Sequence, residues 1–265
     1  REDQVAAAAA LGAGTGLHVK LDTGMGRLGE RDPDAALRTA RAARDAAGVR
    51  LAGAMTHFAT ADERGDVFFG EQLGRFQAWV AQVRELAPDV VVHAANSAAV
   101  LRDPAAHFDM VRPGVAVYGL DPFGEDPAAH GLEPALALHS YVAEVKAVAA
   151  GESVGYGRRF VATAPTATAT VPIGYGDGWR RGLTNDADVL VRGRRRPLRG
   201  TVSMDNVTLE VGLDGGVERG DEAVLIGVQG DERILAEETA RRLGTINYEI
   251  TCGLTARVPR VHHRD

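Results

Sequence analysis

Up to about residue 120 the chain alternates short apolar strands with helical stretches, and past Pro134 that rhythm stops. The first pattern demands a parallel sheet, because parallel neighbours need long crossovers, which helices supply. His18–Leu21 reads as a strand. Asp32-Pro33 provides an N-cap and an N1 proline for a helix that runs to Gly48, a C′ glycine. Val49–Met55 is the next strand. Phe68–Leu86 repeats Phe69, Leu73, Phe76, Val80 and Val83 at helical spacing before Pro88 ends it. Val90–His93 is a third strand and Ser97–Arg102 a short helix. A fourth strand, Met110–Val111, runs into Arg112-Pro113-Gly114. Beyond Pro134 the segments Leu136–Val148, Thr166–Val171, Val189–Val191, Leu198–Leu209 and Ala223–Val228 are β-rich, with one helix near Leu235–Leu243. They read as antiparallel. The expected division is therefore an α/β part over residues 1–131 and an all-β domain over 132–265.

Charge narrows the function. With 30 basic against 36 acidic residues the net charge is −6, which attracts neither nucleic acid nor acidic lipid. The one basic run, Arg192 to Arg199, is flanked by Val189-Leu-Val and Thr201-Val, so it reads as a solvated hairpin tip. A single cysteine, Cys252, excludes an internal disulfide and fits a reducing compartment. No apolar run approaches the ~20 residues of a membrane span. The opening residues carry no apolar signal core. The expected location is cytoplasmic.

Polar residues gather where strands end. His18, Lys20 and Asp22 alternate with Leu17, Val19 and Leu21, so three ionisable groups share one face. A half-exposed edge strand would show the same pattern. The pattern recurs, however, in Thr56-His57 after the second strand, His93 with Asn96-Ser97 after the third, and Arg112 after the fourth. Barrel enzymes keep their catalytic groups at the C-terminal ends of several strands. Ser97 at a helix start and Gly114-Val115 after a proline could offer N–H donors to an oxyanion, although Asn96-Ser97 alone fits an ordinary N-cap.

Eight ordered segments carry a resemblance: HVKLDTGMGRLG, MTHFATAD, HAANSAAVL, DMVRPGVAVYGL, SVGYG, VPIGYGDGWRR, GTVSMDNVTLEV and INYEI with RVPRV. Together they resemble the alanine racemase family, pyridoxal 5′-phosphate enzymes of the barrel type. The resemblance implies a (β/α)8 TIM-type barrel followed by an antiparallel β domain, with L- and D-alanine interconverted by two opposed acid/bases and no metal. Arg112 resembles the arginine facing the cofactor's pyridine nitrogen. A guanidinium does not give up its proton, so the ring nitrogen would stay unprotonated and proton return to the α-carbon would be favoured over side reactions. Arg27 resembles the arginine near the cofactor's phenolic oxygen and the substrate carboxylate. Lys20 resembles the lysine, often carbamylated to N6-carboxylysine, that orients that arginine; an ordinary lysine paired with Asp22 is the other reading. Ser97 with Asn96, Gly114, Val115 and Tyr248 resemble the phosphate cradle. Tyr156 resembles one of the two acid/bases, and its ordinary pKa near 10 needs a neighbour such as His57, which in the family bridges toward the Arg112 position. Tyr175, Met204 and Asp205 resemble the residues that shape the substrate entrance, with the Met204 amide near the substrate carboxylate. In the family the β domain of one subunit completes the barrel mouth of the other. Tyr156, Tyr175, Met204 and Asp205 would then act in trans in a head-to-tail homodimer.

One expected feature is missing. Only Lys20 and Lys146 are present, and neither matches the family's Schiff-base lysine, which lies on the first barrel strand. A full barrel takes ~250 residues, so residues 1–131 read as the C-terminal half of one, truncated, and the chain alone as inactive. Two other readings stay open: a non-catalytic fragment that binds phosphate and dimerises, and a racemase for serine or another small amino acid. Barrel-type decarboxylases share the two-domain layout but place a glutamate before Pro-Gly, where this chain has Arg112.

Overall fold

A three-stranded parallel sheet organises the first of two units, Arg1–Val117; the second unit is Tyr118–Asp265. The computed structural model describes residues 1–12 and 14–263. In the first unit, α1 (Glu2–Ala10) precedes β1 (Thr15–Lys20), and α2 (Pro33–Asp45) leads to β2 (Val49–Met55). Next come α3 (Phe68–Leu86), β3 (Val91–His93) and α4 (Ser97–Arg102). The sheet order is β1-β2-β3, all parallel, as the alternation requires.

Local chemistry explains the helix ends. The Asp32 carboxylate accepts from the Asp34 amide at 3.1 Å, with Pro33 at the first helical position. Helix α2 stops at Asp45, short of Gly48, which sits at φ +84 beyond the cap. Helix α3 buries Phe69, Leu73, Phe76, Val80 and Val83, as its spacing predicts, and adds Trp79 and Gln72 to the same stripe. Each such large apolar side chain contributes about 1.5–3 kcal/mol on burial. The expected fourth strand is a single parallel bridge from Met110 to His93. It cannot lengthen, because the Arg112 amide donates to the Ala95 carbonyl at 2.9 Å and Pro113 has no N–H.

In the second unit every strand pairing is antiparallel. Strands β4 (Leu138–Tyr141), β5 (Glu144–Val148), β6 (Ser153–Val154), β7 (Phe160–Val161) and β8 (Thr166–Val171) come first. They are followed by β9 (Asp188–Val191), β10 (Arg194–Pro197), β11 (Val207–Glu210), β12 (Glu222–Gln229) and β13 (Glu232–Ile234). Helices α5 (Ala236–Leu243) and α6 (Asn247–Cys252) close the unit. One sheet runs β10-β9-β12-β13 with β4 also on β12, and another runs β11-β8-β5. Leu190, Val224 and Ile234 form a buried cluster in the first.

Three expectations are corrected here. Leu136–Val148 is two strands, because the Val142 amide turns to Asp221 while that of Ala143 turns to Thr170 in the other sheet. Leu198–Leu209 is a strand only from Val207, since Gly200 at φ +84 and a turn closed by Ser203 on Asn206 break it. The basic run is a hairpin, but its tip is only Arg192-Gly193. Arg195 lies in β10 and pairs with Glu232 and Glu238, while Arg196 donates to the Val211 and Gly215 carbonyls.

Two glycines of this unit allow a controlled test. Gly119 and Gly124 both hold the left-handed conformation, at φ +71 and +72. A Cβ on Gly119 would overlap the Glu133 carbonyl, whereas one on Gly124 meets open space. Gly124→Ala is expected to cost about 1 kcal/mol, and Gly119→Ala about 3 kcal/mol or more, because backbone must also move. Urea midpoints measure both; equal losses would refute the close approach at Gly119.

Candidate active site

The polar groups of the first unit converge on one guanidinium. Arg112 Nη1 donates to His93 Nδ1 at 2.6 Å. Nη2 donates to the Thr56 carbonyl at 3.0 Å and the Ala94 carbonyl at 3.1 Å, with His57 Nδ1 at 3.4 Å. Arginine only donates, so His93 Nδ1 must accept and its proton sits on Nε2. His93 Nε2 is 2.8 Å from His18 Nδ1, and the proton therefore points at His18. The direction runs from Arg112 through His93 to His18, with both imidazoles neutral. Burial first, then the Arg112 charge and then His18, push the His93 pKa down to about 4. Burial, followed by the charges of Arg112, Arg27 and Lys20, also lowers His57. These contacts leave the Arg112 Nε–H and one Nη1 proton without an acceptor among the described residues.

The register of the sheet makes room for this chain of rings. Leu17 pairs with Leu51 but His18 with Gly53, so β2 carries one extra residue at that point. A Cβ on residue 53 would overlap the His18 ring, which explains the glycine.

After β1 the chain folds over its own carboxylate. Asp22 is buried, accepting from the Gly24 amide at 3.1 Å and the Gly26 amide at 3.0 Å, with Arg31 Nε at 3.2 Å. Burial opposes its ionisation, but those donors together hold its pKa below the ordinary carboxylate range. Among the described residues Lys20 has no ion pair with Asp22. Its own pKa is lowered, by burial first and then by the Arg27 charge, against a smaller opposing pull from Asp22. Lys20, Arg27 and Arg112 thus form a cationic group suited to an anion.

Ser97 is buried, and its Oγ accepts from the Gly114 amide at 2.8 Å and the Ala116 amide at 3.3 Å. The expectation that Gly114 offers an open N–H is therefore corrected: Ser97 takes it. The Ser97 hydroxyl proton and the Val115 N–H remain as donors. Asn96 is the N-cap of α4, accepting from Ala99 at 2.9 Å.

In the second unit Tyr156, Tyr175, Met204 and Asp205 line one open cavity of about 790 Å³ together with Thr201 and Ser203. Tyr156 is 75% exposed on a 3-10 turn, its carbonyl fixed by the Thr201 hydroxyl at 2.7 Å. Tyr175 and Gly176 donate to the Ser203 and Met204 carbonyls. A Cβ on Gly174 would overlap those same carbonyls, so the Ile173–Gly176 loop packs only with glycine there. Asp205 is held by Arg257 at 2.6 Å. Tyr248 is exposed on α6 and does not line that cavity. Lys146 lies exposed on β5.

Sequence reasoning assigned no role to Thr23, Gln72 or the Thr56 carbonyl. The available signal was Gln72 itself, a polar residue three positions after Phe69 inside an apolar stripe. Among the described residues no helix is long and apolar enough to cross a membrane, and no cluster of His, Cys, Asp or Glu is placed to hold a metal.

Comparison with known proteins supplies the context. Residues 2–122 match the family model described as alanine racemase, N-terminal domain, and residues 135–262 match alanine racemase, C-terminal domain. The first match gives no support to the expectation that this part is only the second half of a barrel. An alanine racemase of Frankia casuarinae is 47% identical over 98% of this chain and 68% of its own. One from Halothermothrix orenii is 40% identical over 92% of this chain and 64% of its own. The chain spans 64–68% of the length of such curated relatives. Among solved structures, the alanine racemase of Streptomyces lavendulae superposes with a TM-score of 0.91 at 39% identity, covering 100% of this chain and 70% of that one. The Bartonella henselae enzyme, described with covalently bound pyridoxal phosphate, gives 0.84 at 29% identity, covering 98% of this chain and 70% of its own.

Proposed function

The chain belongs to the alanine racemase family, and from that membership we propose that it serves the interconversion of L- and D-alanine with pyridoxal 5′-phosphate as cofactor. The donor set fits that group. Ser97 and Val115, with Gly114 and Asn96 beside them, would hold the phosphate, Tyr248 joining them as the family resemblance implies, and Arg112 would donate its Nε–H to the ring nitrogen. The bound cofactor supplies an electron sink that acidifies the α-carbon of the amino acid.

The chain's own residues do the rest. Arg112, locked by His93 and two carbonyls, gives a ring acceptor a hydrogen bond without giving up a proton. Arg27 binds the substrate carboxylate, with Lys20, as a carbamate, orienting it. A carbamate needs a neutral amine, and the lowered Lys20 pKa favours one. Tyr156 moves a proton at the α-carbon as one of two acid/bases. Tyr175, Met204 and Asp205 limit substrate size. Residues 1–131 carry the cofactor groups other than Tyr248, and 132–265 carry Tyr248, Tyr156 and the entrance, shared between subunits of a homodimer in the cytoplasm. No residue here takes the Schiff-base role. Lys146 is exposed on a strand of the second unit, and Lys20 is assigned otherwise.

The observation that carries the proposal is the Arg112–His93–His18 arrangement, which fixes a guanidinium and leaves its Nε–H available. Incubation with pyridoxal phosphate, borohydride reduction and digestion is the first test. Label on Lys20 or Lys146 would overturn both assignments. In a preparation that racemises alanine, Tyr156→Phe is expected to lower turnover by about 10²-fold or more with cofactor absorbance intact. Unchanged turnover would end the claim for Tyr156.

A further inference from the structure

Gln72 is completely buried in α3, and every hydrogen-bonding group of its amide is engaged. Its Oε1 accepts from the Ala59 amide at 2.8 Å, and its Nε2 donates to the His57 carbonyl at 3.3 Å and to Thr23 Oγ1 at 3.1 Å. One side chain therefore grips the backbone on both sides of Phe58, in a segment with no helix or strand of its own. The His57 ring is carried by that segment.

The contacts continue in one direction. Thr56 Oγ1 donates to the Leu21 carbonyl at 2.8 Å, so Thr23 Oγ1, 2.9 Å away, must donate to Thr56. The Thr23 hydroxyl is then left as an acceptor for the Gln72 amide, and this fixes which end of the amide points where. The Thr56 carbonyl, on the same residue, accepts from Arg112. A buried polar network with every member satisfied specifies a single arrangement.

We propose that Gln72 is a positioning residue that sets His57 directly and the Arg112 guanidinium through Thr23 and Thr56. Its functional meaning rests on the racemase reading. The test uses no turnover, so failure of this proposal and failure of that reading are separable.

The measurement is side-chain ¹⁵N NMR of the full chain, following the His57 ring nitrogens and the exchange of the Arg112 Nη protons. Gln72→Met keeps volume and loses the amide. It is expected to shift the His57 signals and to speed Arg112 exchange about tenfold, the scale of one lost hydrogen bond. Thr23→Val cuts only the second branch, so Arg112 exchange should quicken while His57 stays put. Thr23→Ser, which restores the hydroxyl, should return Arg112 exchange to the parent value and leave His57 there. A core-filling glutamine predicts something different: Gln72→Met would leave both signals where they were, and that result overturns the proposal. If Gln72→Met does not fold, the threonine pair decides, because equal Arg112 exchange in Thr23→Val and Thr23→Ser overturns it as well.

Discussion

Arg112→Glu is expected to lower alanine racemisation by about 10²–10³-fold, the usual consequence of removing one preorganised donor from a site, and to raise the share of transamination among the remaining products. The reason is visible in what surrounds the guanidinium. His93 Nδ1 and the carbonyls of Thr56 and Ala94 are all acceptors. A carboxylate there would face three acceptors and orphan each of them, at about 1–3 kcal/mol apiece. A glutamate would also invert the site's influence on a ring nitrogen, since a carboxylate keeps such a nitrogen protonated and a guanidinium does not. Arg112→Lys separates the two effects. It keeps a positive charge but presents a point charge where a planar fork is needed, so turnover should fall with little change in product partition. Measuring racemisation and keto-acid formation on one sample distinguishes them. A partition unchanged in Arg112→Glu would remove the role assigned to the guanidinium.

The chain shows its organisation unevenly. Amphipathic spacing marks α3 to the residue, because Phe69, Leu73, Phe76, Val80 and Val83 can share a face only in a helix. The switch from parallel to antiparallel pairing is equally legible, since it follows from whether helices separate the strands. Strand extent is less so. Leu198–Leu209 has the composition of a continuous strand, and only the left-handed Gly200 and the turn at Ser203 interrupt it. The basic run misled for a related reason: its five arginines read as a solvated tip, but Arg195 and Arg196 have partners that are remote in sequence. At the site, the titratable residues could be picked from their positions at strand ends, and the resemblance supplied their roles. Their tautomers and fixed orientation could not be read, because those depend on backbone carbonyls and on Gln72, which sequence patterns do not weigh. Gly114 illustrates the limit, its apparently open amide being closed by a serine 17 residues away.

Acidification should destabilise the first unit through His93. Its pKa falls from the ordinary 6.5 to about 4 in the folded chain, where it is buried between Arg112 and His18 with His57 on the other side of the guanidinium. A depressed folded pKa means that the unfolded chain binds the proton first. Stability is therefore whole above about pH 6.5, drains away as pH falls toward 4, and levels off below that. At 1.36 kcal/mol per pH unit the loss is about 3 kcal/mol. His57, lowered in the same direction, adds to it. The two tryptophans make the measurement local, since Trp79 lies in the first unit and Trp179 in the second. Urea unfolding followed by Trp79 fluorescence in a Trp179→Phe background should show the midpoint falling between pH 7 and pH 4. His93→Gln retains one acceptor and one donor without a titrating nitrogen, so it should flatten most of that slope while costing some stability at pH 7. A parent midpoint that is flat across the window would mean that His93 protonates in place and that Arg112 can turn away to admit the charge. The fixed guanidinium on which the functional reading depends would then be gone.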